Sequence, residues 1–317
     1  LSKLKLNSQG KKTMLDIVAI GEAMFEFSQL PNSSGHWLEG FGGDTLNMLI
    51  AAQRAGARTG FLSALGDDEF GDSIFSLMKR EAVDCQAVER STCAPTGIYF
   101  IHHDHEGHRF SYRRKGSAAS QMQANRWLHA PASRWLYASG ISQAIGPGCR
   151  ALVQEAFTNA QAGCQRAYDL NFRSKLWAAE QAYQALVELA PFIDVLLPSL
   201  DDVGALAEQP NISIEDALHW LDQFSIREVV LRCGAKGAVL IERPGNAAPR
   251  LQTIPGHPVN AVDATGAGDC FNGNFLAARL RGHSLAEAAH EANQAAAQST
   301  LTYGAIASFP YRSSPKP

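Results

Sequence analysis

From Leu15 onward the chain alternates short, apolar, β-branched runs with longer stretches that carry apolar residues at helical spacing. LDIVAIG (15–21) reads as a buried strand closed by Gly21, and TLNMLIAAQRAG (45–56) as a helix stopping at Gly56, a C′ glycine. TGFLSALG (59–66) gives a second strand and DEFGDSIFSLMKREAV (68–83) a second helix. Parallel strands need long crossovers, and helices of this length supply them, so the alternation predicts an α/β fold with a largely parallel sheet. Residues 96–114 break the rhythm: TGIYFIHH and HRFSYRR alternate and flank the turn-like Asp104–Gly107, a hairpin that reads as a flap or small second layer. The rhythm resumes at RWLYASG (134–140), followed by a helix over 147–163, a strand over 165–171, a helix over 178–190 and a strand over 193–199. A helix over 213–223, strands over 227–234 and 238–243, and Ala-rich helices near 267–281 and 284–300 complete it. One large domain over 15–310 is expected, with a β lid drawn from about 22–40 and 96–115.

Charge and composition exclude several classes. Lys and Arg number 28 against 31 Asp and Glu, a formal charge of −3, which argues against a dedicated nucleic-acid or anionic-membrane binder. With 45% hydrophobic and 19% charged residues, a packed core is expected and disorder is not. No run approaches the roughly 20 apolar residues of a membrane span. The six cysteines, Cys85, Cys93, Cys149, Cys164, Cys233 and Cys270, are widely spaced without Cys-x-x-Cys, and are expected as free thiols in a cytoplasmic protein. The polar, basic N-terminus lacks the apolar core of a secretory signal. Met14 reads as a natural start, with 1–13 as a tag or disordered extension.

Chemistry concentrates in VNAVDATGAGDCFNGNFLAARLRG (259–282). Gly266, Ala267 and Gly268 lead into an amphipathic helix; small residues let a phosphate approach the backbone, and a helix N-terminus offers unpaired N–H groups. Asp269 then stands at the mouth of that anion hole, where it repels a resting phosphate. General-base work on a hydroxyl attacking a phosphoryl group accounts for it, and so does a helix cap. His102, His103, His105 and His108 lie among Asp104 and Glu106, but strand alternation sends His102 and His103 to opposite faces; a polar lid tip is expected and no metal ligand is assigned. LRCGAKGAVL (231–240) sets Gly234 and Gly237 around Lys236, by itself the pattern of a plain hairpin.

Two ordered segments carry a resemblance. DATGAGD (263–269), followed by Gly273, resembles the C-terminal signature of the ribokinase (PfkB) family of carbohydrate kinases, close to D-T-x-G-A-G-D, with departures at Ala264 and Asn274. FGGDTLNMLIAAQRAGARTGFLSALGDDEFG (41–71) resembles the N-terminal signature, and the likeness runs from about residue 15 to 310. It implies a ribokinase-like three-layer α/β/α domain with a small β-sheet lid, ATP and Mg²⁺ as cofactors with a monovalent cation allowed, Asp269 as catalytic base, and Gly266, Ala267 and Gly268 as the anion hole. For the nucleotide it implies Gly234, Lys236, Gly237, Gly266 and Gly268, with Asn171 and Arg173 of DLNFRSKLW (169–177) near the phosphates and Asn293 beside the adenine. Where many members carry Asn-x-x-Glu near the metal waters, this chain has Ser199-Leu200-Asp201-Asp202.

Within the family the likeness is greatest to 2-keto-3-deoxygluconate kinases. It rests on Gly43, Asp44 and Asn47 of FGGDTLN, Tyr99 of GIYF, Tyr112 and Arg114 of RFSYRRKGSAAS, Arg173, and a floor from SGISQAI (139–145). Met24 stands where neutral-sugar kinases often place a hydroxyl-binding Asp. Arg113, Arg114 and Arg173 are available for a carboxylate, which suits the planar guanidinium fork. On charge pattern alone Arg113-Arg114-Lys115 also reads as a solvated stretch, and Arg173 as an ion pair or phosphate contact. The expected activity is ATP-dependent phosphorylation of the terminal hydroxyl of a sugar acid, 2-keto-3-deoxygluconate to 2-keto-3-deoxy-6-phosphogluconate. Substrate contacts are expected from Gly43, Asp44, Asn47, Tyr99, Tyr112, Arg114, Arg173 and Asp269. The alternatives are a neutral-sugar kinase of the fructokinase or ribokinase type, and a non-catalytic sugar-acid sensor on the same fold. A dinucleotide oxidoreductase is disfavoured by the lack of G-x-G-x-x-G after the first strand. The exposed edges of the lid hairpin lead us to expect a homo-oligomer through the lid, with no nucleic acid or membrane as partner.

Overall fold

The computed structural model describes residues 14–30, 35–104, 107–245 and 248–312. Its strands are β1 (Leu15–Ile20), β2 (Met24–Gln29), β3 (Trp37–Gly42), β4 (Thr59–Gly66), β5 (Val88–Ser91), β6 (Gly97–Asp104), β7 (Gly107–Arg113), β8 (Ser133–Ser139), β9 (Gln165–Asp169), β10 (Val195–Leu196), β11 (Glu228–Arg232), β12 (Gly237–Glu242) and β13 (Arg250–Pro255). The α-helices are α1 (Asp44–Arg54), α2 (Glu69–Arg80), α3 (Gly140–Ala144), α4 (Pro147–Thr158), α5 (Ala179–Leu189), α6 (Leu200–Leu206), α7 (Ile214–Asp222), α8 (Ala267–Leu280), α9 (Leu285–Ser299) and α10 (Ala305–Ser308).

Nine strands form one sheet in the order β13-β12-β11-β10-β9-β8-β1-β4-β5. Every pairing from β11 to β5 is parallel, whereas β11, β12 and β13 pair antiparallel. The all-buried pattern of β4 fits a strand covered on both faces. Alternate residues of β1 accordingly serve two cores: Ile17 and Ala19 pack with α1, α2, α8 and α9, while Val18 and Ile20 pack with α4, α5, α6 and α7. This is a three-layer α/β/α body. From β1 the chain adds β4 and β5 on one side, then β8 to β13 on the other, so strand order reverses at β1. In open α/β sheets the crevice beyond the carboxyl ends at such a reversal is where ligands bind.

The second sheet has four strands in the order β3-β2-β6-β7, with β2 and β6 parallel and the outer pairs antiparallel. Its strands lie between Met24 and Gly42 and between Gly97 and Arg113. Several expectations needed adjustment. Within the strand expected over 193–199 only Val195–Leu196 forms a continuous ladder, with an isolated bridge from Ser199 to Arg232, and the chain then turns into α6, a helix not anticipated. The edge strand β13 was also missed, because five of its six residues are exposed and carry no apolar alternation. Gly56 follows the last turn of α1 with φ +98°, as its C′ reading requires. All six cysteines are free thiols, and no described helix is long and apolar enough to cross a membrane. Residues 1–13 lie outside the described residues.

Candidate active site

The turn that opens α8 is built around glycine. Gly266 precedes the helix with φ +74°, and a Cβ there would stand 2.7 Å from the Ala305 Cβ. Asp263 fixes the same loop, accepting from the Thr265 N–H and hydroxyl and from the Gly304 N–H. Asp269 falls in the first turn of α8, but it does not cap the helix by a bond at Gly266. Its Oδ2 instead accepts a 2.9 Å bond from Nδ2 of Asn47, on α1 and 222 residues away in sequence. Burial, followed by the nearby Asp44 carboxylate, pushes the Asp269 carboxyl up to about 8.

Below it lies a dense polar layer. Asp169, at the carboxyl end of β9, accepts from Arg232 Nη2 at 2.6 Å and from Asn272 Nδ2 at 2.7 Å. Burial raises Asp169 to about 6 against the pull of Arg232. Arg232 ends β11 and also donates to the Leu197 carbonyl. Its Nη1 lies so close to α8 that a Cβ on Gly268 would stand 2.7 Å from it. Asp44, the first residue of α1, accepts from Asn171 Nδ2 at 2.9 Å, and burial raises its pKa. The sequence therefore brings Asp44 and Asn47 of α1, Asn171 after β9 and Asp269 of α8 together from three separate segments.

On the lid, the rings of Tyr99, Phe110 and Tyr112 stack with centroids 5.9 to 6.4 Å apart. The Tyr99 hydroxyl donates to Glu26, and Asp269 contributes to holding the Tyr99 phenol protonated, after burial and Glu26. Arg114 follows β7 directly, lies 5.1 Å over the Tyr112 ring and forms an ion pair with buried Glu22. Burial, then the neighbouring Arg173 guanidinium, lowers the Arg114 pKa to about 10. Arg173 also acts on Asp44 and Tyr112, while its Nη1 donates to the Phe172 carbonyl. It has no ion pair among the described residues. Arg113, the last residue of β7, is exposed and donates to the Tyr112 carbonyl.

The remaining expected residues are placed as follows. Gly234–Lys236 form a helical turn in the antiparallel β11–β12 hairpin, with Gly234 and Lys236 exposed and Gly237 opening β12. Asn293 is a buried position on α9, and its amide donates to the Pro255 carbonyl. Gly256 next to it donates to the Lys236 carbonyl, which ties Asn293 to that turn. Ser199 and Asp202 form a reciprocal cap of α6, and Asp202 also accepts from the Phe172 N–H. His102 contacts Ser111 and the edge of Trp37, whereas His105 and Glu106 lie outside the described residues. Among the described residues no group of three or more His, Cys, Asp or Glu could hold a metal.

Sequence reading passed over four residues here: Glu22, Glu26, Asp169 and Arg232. The weight given to Met24 needs correction. Met24 packs with Tyr99 and Ile101, and two residues on, Glu26 puts a carboxylate on that same face, bonded to Tyr99. Strand alternation along GEAMFEF was the available signal. The partners of Asp169 and Arg232 depend on sheet order, which no local motif carries.

A three-layer α/β/α body with a β lid and a glycine-opened helix carrying a buried carboxylate is the architecture of a small-molecule kinase. The family model for pfkB family carbohydrate kinases matches residues 14–312, and the chain belongs to that family, which makes it a sugar kinase. It is 31% identical over 306 residues to the 2-dehydro-3-deoxygluconokinase of Haemophilus influenzae, covering 92% of this chain and 96% of the relative. Among solved structures, the fructokinase of Vibrio cholerae O395 in its fructose-, ADP- and calcium-bound form matches with a TM-score of 0.80 at 25% identity, over 93% of this chain and 96% of that one. The aminoimidazole riboside kinase of Salmonella enterica, complexed with aminoimidazole riboside and an ATP analog, gives 0.82 at 24% identity, over 93% and 97%.

Proposed function

We propose that this sugar kinase transfers the γ-phosphoryl group of ATP to the terminal hydroxyl of 2-keto-3-deoxygluconate, giving 2-keto-3-deoxy-6-phosphogluconate. The observation that carries the reading is Arg114 on the lid, held by buried Glu22 over the Tyr112 ring and within electrostatic reach of Arg173. Arg114 and the exposed Arg173 carry like charges, and a carboxylate bound between them offsets their repulsion. The likeness to a 2-dehydro-3-deoxygluconokinase supports the same substrate.

In this reading Asp269 accepts the proton of the attacking hydroxyl, and Asn47 fixes its carboxylate. The raised pKa of Asp269 makes it a stronger base than a solvated carboxylate. The N–H groups of Gly266 and Gly268 meet the transferring phosphoryl charge, with Arg232 alongside Gly268, whereas the expected third donor, the Ala267 N–H, is taken by the Ala264 carbonyl at 3.2 Å. Tyr99 and Tyr112 line the sugar site with Gly43, Asp44 and Asn47, and the lid keeps water from the phosphoryl group. ATP borders the Gly234, Lys236 and Gly237 turn, which Asn293 braces, with Asn171 towards the phosphates. Mg²⁺ fits as a cation carried by the ATP phosphates and water, since Asp169 and Asp202 are engaged with protein donors; bound there, it neutralises phosphate charge.

Glu26 on the lid favours a second reading, a neutral-sugar kinase in which that carboxylate binds a hydroxyl. Coupled ADP-release assays on 2-keto-3-deoxygluconate, 2-keto-3-deoxygalactonate, gluconate, fructose and ribose decide between them. A clear preference for 2-keto-3-deoxygluconate is expected; a higher kcat/KM on fructose or ribose would install the neutral-sugar reading.

A further inference from the structure

Four chain crossings between body and lid meet at one residue, Glu22. It lies on the connector from β1 to β2 and is 1% exposed. On the connector from β3 to α1, Gly43 has φ +113°, and a Cβ there would stand 2.3 Å from the Glu22 carbonyl oxygen. Thr45, just beyond, donates to that same carbonyl. Gly97, which opens β6, faces Glu22 Oε2, and Arg114, which closes the return from β7, is its ion-pair partner. Among the described residues the Glu22 carboxylate has no partner other than Arg114.

A carboxylate this deeply buried is costly unless paired, so it holds Arg114 firmly. Arg114 in turn lies within electrostatic reach of Arg173, a like charge that opposes its own. We propose that Glu22 is a positioning residue: it fixes Arg114 beside Arg173 before substrate arrives, so that the two guanidiniums receive the sugar-acid carboxylate as one fork. Glu22 touches no reacting atom. It acts through Arg114, and because it sits where the lid joins the body, it ties the seating of the lid to recognition of the acid. This role rests on the sugar-acid reading above.

The test is steady-state kinetics on the wild type, Glu22→Gln, Arg114→Ala and the double variant, with melting temperatures recorded for each. Glu22→Gln is expected to raise the KM for 2-keto-3-deoxygluconate about tenfold, well beyond any change in kcat or in the KM for ATP. In the Arg114→Ala background the same substitution is expected to add less than about twofold, because the residue it positions is gone. Equal shifts in both KM values and kcat, or full additivity with Arg114→Ala, would overturn the role and leave Glu22 a structural hinge residue. Should Glu22→Gln fail to fold, Glu22→Asp, which keeps the charge but shortens its reach, carries the same comparison. A wild-type enzyme inert towards the sugar acid overturns the substrate reading and this role with it. That outcome is read from the wild type alone, so the two failures are separable.

Discussion

Asp269 belongs to the body of the molecule and Arg114 to its lid, and the two are held by different means. Around Asp269 every carboxylate has a fixed donor: Asn47 for Asp269, Arg232 and Asn272 for Asp169, Asn171 for Asp44. These donors sit on α1, α8 and the ends of β9 and β11, against the large core that holds Leu46, Phe275 and Leu276 at 0% exposure. The lid face has only a small cluster of its own, Met24, Tyr99 and Ile101 with Phe110 and Tyr112 at its edge. Groups that must meet developing charge without reorganising are best fixed on rigid elements, whereas the Tyr99 face of the lid, whose opposite face packs Phe25, Phe27 and Phe41 on the large core, has fewer fixed partners and can adjust to a ligand. On the proposed function, this contrast places turnover with the body and substrate choice with the lid.

The strongest way to break that division is Asp269→Asn. Turnover should fall by about 10²- to 10⁴-fold, with smaller changes in either KM, because the amide cannot take the hydroxyl proton. A variant keeping more than half the wild-type kcat would show that Asp269 is no base. Stability should move the other way. The folded-state pKa of about 8 lies above the unfolded value near 3.9, so the folded state holds this proton more tightly. The destabilisation is absent below about pH 4, grows as pH rises and is complete above about pH 8. Thermal melts should therefore show Asp269→Asn gaining on the wild type more at pH 8.5 than at pH 5. In the wild type, kcat/KM for the sugar should climb through an apparent pKa near 8, shared with the coupled Asp44 and Asp169 carboxylates.

Arg114→Ala and Arg173→Ala sharpen the lid side. Arg114→Ala should weaken 2-keto-3-deoxygluconate by about 10- to 150-fold, the range of a desolvated charge-assisted pair, and Arg173→Ala, at an exposed position, by less, both with little change in the KM for ATP. Arg113→Ala, on the exposed side, should change the sugar KM less than about twofold. Losses of equal size on the sugar acid and on fructose would mean that Arg114 supports the lid without reading the acid. A large rise in the ATP KM for Arg173→Ala alone would move that residue to the phosphates.

The same division separates what the sequence reveals from what it hides. The alternation of β1, α1, β4 and α2 and the loop from Asp263 to Asp269 were legible, because a buried strand, an amphipathic helix and a glycine turn are each written in consecutive residues. Gly266 and Asp269 needed only their own heptapeptide. Glu22, Glu26 and Arg232 acquire meaning only from partners 92, 73 and 63 residues away, Arg114, Tyr99 and Asp169. Those partnerships are set by sheet order and register. Asn293 reads on its helix as an exposed polar position, and only the packing of α9 against the strand end at Pro255 buries it. The strand expected over 193–199 failed for a related reason: Ser199 caps α6 with Asp202, so the apolar run ends by turning into a helix.

A smaller effect probes where lid and body meet, at Tyr99. Its ring closes the aromatic stack, and its hydroxyl satisfies Glu26 while lying within electrostatic reach of Asp269. Tyr99→Phe keeps the ring and removes only the hydroxyl. Losing one neutral hydrogen bond to substrate should lower kcat/KM by about 2- to 12-fold. The substitution also strips Glu26 of the bond that opposes its burial, so its pKa, already raised by desolvation, should rise further. Tyr99→Phe should therefore melt below the wild type at neutral pH, and adding Glu26→Gln should recover much of that loss by removing the unpaired charge. The two variants also separate the sugar classes. If Glu26 serves only Tyr99, Glu26→Gln alone should cost no more kcat/KM than Tyr99→Phe. If Glu26 itself binds a substrate hydroxyl, as the neutral-sugar reading requires, Glu26→Gln should cost several-fold more, and most of it on fructose.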